Sequence, residues 1–143
     1  MPMSQHIANG MYGAVVIDPP DLPAADHEYL LVSSQLYLGV PESDQHVAKI
    51  HTGRPDGWAF NGMAAQYDHA PLTTHTGRRV RIWLVNAGPG DPGGAQVLDL
   101  APAQGGFVEL TFPEAGHYPF VDHDMRHAEN GAHGQFTVTE PPR

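Results

Sequence analysis

The stretch GGFVELTFPEAGHYPFVDH, residues 105–123, decides how this chain folds. Phe107, Glu109 and Thr111 alternate with Val108, Leu110 and Phe112. A period of two sends one set toward water and the other toward a core, so the spacing predicts a half-buried strand. HYPFVDH, residues 117–123, reads as the next strand, and QFTVTE, residues 135–140, as a closing one. Upstream, MYGAVVIDP (11–19), HEYLLVSSQLYLG (27–39), WAFNG (58–62), RRVRIWLVNAG (78–88) and QVLDLAP (96–102) carry the same β-branched and aromatic character. Of these, 78–88 alternates well enough to be a central strand.

The pieces between are punctuation. DPPDLPAAD (18–26) suits a linker, because proline neither continues a helix nor donates to a sheet. VPESDQHVAKIHTGRPDG (40–57) is polar and turn-rich, with a short helical turn around Val47 to Ile50. QYDHAPLTTHTG (66–77) reads as a connection and PGDPGGAQ (89–96) as a short loop. Gly 16 and Pro 14, spread along 143 residues, fit many short strands in one domain. The fold class expected is therefore all-β.

Composition removes several functions. The net charge is −9, and the only basic cluster is Arg78, Arg79 and Arg81, so nucleic acid is not expected as a partner. No apolar run is long enough to span a bilayer, and no membrane partner is expected. With Cys 0, disulfides, thiolate nucleophiles and thiolate metal sites are excluded together. The N-terminus shows no basic start followed by an apolar core. NAGPGDPGG (86–94) lacks the lysine of a phosphate loop, and no GxSxG elbow occurs.

Histidine stands out, with His 10. The segment GHYPFVDHDMRHAENGAHG (116–134) holds His117, His123, His127 and His133 beside Asp122, Asp124 and Glu129. In an extended segment His117 and His123 share a face. If a helical turn begins at Asp124, His123 and His127 become an i, i+4 pair. Either geometry offers imidazoles to one metal; the same residues also suit a polar loop in water. At the other end, His6 and Met11 lie five positions apart before an apolar run. A thioether is a soft ligand that suits copper, although a lone Met is also ordinary core filler.

Taken together, HIANGMYGAVVIDP (6–19), GWAFNG (57–62), TGRRVRIWLVNAGPG (76–90) and the long stretch from Gly105 to Val138 resemble the copper-containing nitrite reductases and two-domain multicopper oxidases. The resemblance implies a Greek-key cupredoxin sandwich, in which residues 1–20 match the last strand and exit of a first cupredoxin domain. Residues 21–143 match a second domain with an internal deletion near 88–93. Copper is the implied cofactor. His6 matches the second histidine of the electron-transfer copper and Met11 its axial ligand. His123 matches the histidine lent to a neighbouring subunit's catalytic copper, and His127 a ligand position of laccase-like relatives. A homotrimer and an electron-donor protein are the implied partners.

The departures are as informative. The family's thiolate, preceded directly by a catalytic-copper histidine, lies just upstream of MPMSQH, and this chain begins after both. The segment carrying an active-site FH is also missing after VNAGPG. The resemblance therefore implies an oxidoreductase unit that is inactive alone, or a non-catalytic metal-binding or oligomer-forming module.

Overall fold

A computed structural model describes residues 2–87 and 100–142. Among the described residues, seven strands form two sheets: β1 (His27–Leu36), β2 (Gly57–Phe60), β4 (Arg79–Asn86) and β5 (Gly105–Thr111) in the order β2-β1-β4-β5, and β3 (Ala70–His75), β6 (Gly116–Val121) and β7 (His133–Thr139) in the order β3-β7-β6. Residues 78–88 do supply a central strand, β4, parallel to β1 and antiparallel to β5. The second sheet repeats that mixture, with β7 parallel to β3 and antiparallel to β6.

Alternation explains which face each strand buries. On β4, Val80 and Ile82 point inward to meet Leu31 of β1, Phe60 of β2, and Leu72, Phe136 and Val138 of the other sheet. The two sheets thus close over one core, as an all-β sandwich. Phe136 is the hub, with Phe112, Phe120 and Tyr29 ring centroids 5.2, 5.7 and 5.8 Å away. Each such side chain contributes about 1.5–3 kcal/mol when fully buried.

Among the described residues, four short helices sit at the rims: α1 (Met3–Ala8), α2 (Asp44–His51), α3 (Gln66–His69) and α4 (Met125–Glu129). The helical turn expected near Val47 grows into α2 because Ser43 caps it, accepting from His46 N at 3.3 Å. Asp44 in its first turn and Lys49 in its last suit the helix dipole.

Three expectations fail. Residues 66–77 are more than a connection: α3 and then β3 occupy them, because Leu72 and Thr74 alternate inward against β7. The run at 11–19 is not a strand. No strand among the described residues pairs with it, and an isolated strand has nothing to satisfy its backbone. It crosses as an irregular strap instead, held at Tyr12, whose hydroxyl donates to Ser34 Oγ at 2.7 Å. Val15 and Ile17 stay 88% and 83% exposed. The stretch preceding it coils into α1 and lies against α2. Finally, Leu100 to Pro102 are not in a strand, and the rest of that predicted element, with the loop at 89–96 and the deletion near 88–93, lies outside the described residues.

Candidate functional site

The chemistry-bearing residues gather where β6 hands over to α4. Asp124 is the helix N-cap, its Oδ1 accepting from Arg126 N at 2.9 Å. The Arg126 guanidinium, 2.6 Å from Oδ2, holds the Asp124 carboxyl down to about 2. Asp122 braces the same turn: its Oδ1 accepts from Asp124 N at 3.0 Å and its Oδ2 lies 3.1 Å from His127 Nδ1. The His127 ring stacks on Trp58 of β2, with centroids 4.3 Å apart and planes inclined by 20°. Its Nε2 is 3.7 Å from Asp124 Oδ2. The helical alternative is the one realised from Met125 onward, but His123 precedes the helix and does not share its face with His127.

The result is an asymmetric pair. Both nitrogens of His127 face carboxylates. His123 is exposed, with no hydrogen-bond partner among the described residues. A neutral imidazole presented on a braced turn can offer one nitrogen to a metal. His117 lies on β6, its Nδ1 3.3 Å from Thr137 Oγ1. His133 turns to Asp68 and the Ala128 carbonyl, at 2.9 and 2.6 Å. At the N-terminus, Met11 N donates to the His6 carbonyl at 2.9 Å, so the two backbones are brought together. Met11 is 56% exposed and His6 half-buried.

These residues do not complete a copper centre. No group of three or more His, Cys, Asp or Glu side chains able to hold a metal occurs among the described residues. The donor chemistry agrees, since a soft thioether and one imidazole lack the thiolate that a blue-copper site requires. Nor does an orphaned polar atom point to one: among the described residues the buried side-chain atom without a partner, Thr74 Oγ1, lies on β3. Trp58 was not legible as part of this site. Its contact joins distant segments, and no local spacing signals it.

Losing the Asp124 cap should be measurable. Asp124→Ala is expected to destabilise the chain by about 1 kcal/mol in urea unfolding. Because the folded carboxyl is depressed from 3.8 to about 2, its contribution is present above 3.8 and fades as pH falls toward 2. The variant's deficit should shrink over that window.

Comparison with known proteins sets the chain as a whole in a wider likeness. The copper-containing nitrite reductase of Neisseria meningitidis serogroup A is 30% identical over 168 residues, covering 96% of this chain and 43% of that protein. A copper nitrite reductase structure from Nitrosomonas europaea superposes with a TM-score of 0.83 at 32% identity, covering 96% of this chain and 59% of that one. The chain resembles the copper-containing nitrite reductases. No family model matches it. A multicopper oxidase structure shares the fold, with a TM-score of 0.77 at 24% identity over 96% of this chain. This nitrite reductase-like chain spans less than half the length of the meningococcal relative. Among its described residues, no helix is long and apolar enough to cross a membrane.

Proposed function

We propose that the chain is a cupredoxin-type copper unit of the nitrite reductase kind, which contributes ligands to copper centres that it does not complete alone. The observation that carries this reading is His123, exposed and unpartnered on a turn that Asp122, Asp124 and His127 hold in place. On this reading His123 supplies one imidazole to a catalytic copper shared with a second subunit. His6 and Met11 are the remaining half of an electron-transfer centre. Residues 1–20 are then the end of a first domain and residues 21–143 the second. The match to the meningococcal enzyme is in keeping with a loss somewhere in the matched region, since it runs over 168 residues although the whole chain has 143.

Reduction of nitrite needs an electron delivered to the metal that holds it, and protons at the departing oxygen. This chain has no thiolate to complete the electron-entry copper, so the expected result is absence of turnover. Copper-loaded chain, assayed with nitrite and a reduced electron donor, should show no rate above the metal-free background; copper-dependent turnover overturns the reading. Cu(II) titration read by EPR is the companion test. A pale spectrum with oxygen and nitrogen ligands, diminished in His123→Ala, is expected, and an intense blue band is not.

The second reading, a non-catalytic oligomer-forming module, is favoured by the strap. Val15 and Ile17, at 88% and 83% exposure, are large apolar side chains left in water. A homotrimer, with copper ligands crossing between subunits, satisfies both readings, and sedimentation velocity distinguishes it from a monomer. An electron-donor protein is a partner only of the assembled centre.

A further inference from the structure

His133 opens β7 where three elements meet. Its Nδ1 lies 2.6 Å from the carbonyl oxygen of Ala128 in α4, and its Nε2 2.9 Å from Asp68 Oδ2 in α3. From β6 its register partner is Val121, which carries no charge. Asp68 is thus the charged group bonded to the ring. Both of the ring's partners only accept. A neutral imidazole has one N–H, so it satisfies one oxygen and points a lone pair at the other. The imidazolium has an N–H on each nitrogen and completes both bonds.

We propose that His133 is a proton-operated clasp: charged, it ties α3 to the C-terminal end of α4; neutral, it releases one of the two. The bond to the Ala128 carbonyl raises its pKa above 6.5; partial burial opposes that shift, and the Asp68 bond and charge add to it. A raised folded pKa means the tie is fully present below 6.5 and is lost as pH climbs through the folded value. The consequence reaches past the clasp. Ala132 N donates to the His127 carbonyl at 3.0 Å and Asp122 N to the Ala132 carbonyl at 2.9 Å, so the end of α4 is part of the frame around His123. This inference does not depend on copper.

The test is a pair of midpoints. Carbon-detected NMR of the His133 ring gives its pKa in the intact chain, with the ordinary imidazole value of 6.5 as the reference. Hydrogen exchange at Asp68, Gly131 and Ala132, whose amides bond to Ala65, Ala128 and His127, reports the tie. The expected result is that His133 titrates above 6.5 and that protection, corrected for intrinsic exchange, falls several-fold with the same midpoint. Asp68→Asn removes the charge while keeping an acceptor, and should move both midpoints down together. His133→Gln should abolish the pH dependence. A His133 pKa at or below 6.5, protection independent of pH, or midpoints that separate in Asp68→Asn each overturn the clasp.

Discussion

Converting Glu28 and Glu109 together to Gln is expected to destabilise the chain by about 2–4 kcal/mol, whereas Arg81→Met costs less than about 2 kcal/mol. Arg81 points to the outer face of β4, yet is only 2% exposed. Its Nη1 donates to Glu28 Oε1 at 2.8 Å, its Nη2 to Glu109 Oε1 at 2.6 Å, and it also donates to the Pro23 carbonyl in the linker. Trp83 and Phe107 flank it, with its Cζ 5.7 and 5.6 Å from their centroids. A guanidinium so enclosed needs its countercharges. Removing them strands a cation out of water, while removing the cation leaves carboxylates that can hydrate. Glu28 and Glu109 keep 41% and 32% of their side-chain exposure, so screening weakens the direct attraction, and the double change is placed below the usual range for a buried pair. Equilibrium urea unfolding checks the asymmetry. If Arg81→Met is the more damaging change, the cluster acts by attraction between its charges and not by the demand of a buried guanidinium.

The same cluster shows what a sequence can and cannot disclose. Alternation located β4 and β5 and separated Val80 and Ile82 from Arg81, because strand periodicity is local. It could not show that the linker would fold back and bury Arg81 through Pro23, which is a contact across 58 positions. The strap at 11–19 failed for the converse reason. Its β-branched residues satisfy the strand pattern, but a strand exists only against a partner, and none is supplied among the described residues. β3 was missed because Pro71, Thr73 and the turn at Thr76–Gly77 mask a short inward alternation of Leu72 and Thr74. At the candidate site the alternative of a helical turn at Asp124 was readable. The roles within it were not. His123 and His127 look equivalent on spacing; only Asp122 and Trp58, approaching His127 from other elements, distinguish the braced ring from the free one.

Gly131→Ala is expected to cost about 2–6 kcal/mol and to disturb that brace directly. Gly131 follows α4 with φ of +117°, in a region that L side chains rarely adopt. A Cβ there would stand 2.5 Å from both the Trp58 carbonyl oxygen and Ala64 Cβ. Neither neighbour can yield cheaply: Trp58 is in β2 and its amide donates to the Asn130 carbonyl at 3.0 Å, while Ala65 N donates to the Gly131 carbonyl at 2.9 Å. Strain and overpacking of about 1–3 kcal/mol each therefore add. Gly62→Ala separates the two. Its φ is +83°, also left-handed, but nothing lies within 4 Å of its Cβ, so strain acts alone and the loss should be about 1–3 kcal/mol. The difference between the variants is what close approach of α4 to β2 demands. That approach also places Trp58 beneath His127, 4.3 Å from ring to ring. In Gly131→Ala the indole should lose the imidazole's quenching and its fluorescence should rise, with no such change in Gly62→Ala. Equal stability losses and unchanged fluorescence would mean that the brace behind His123 does not depend on the glycine contact.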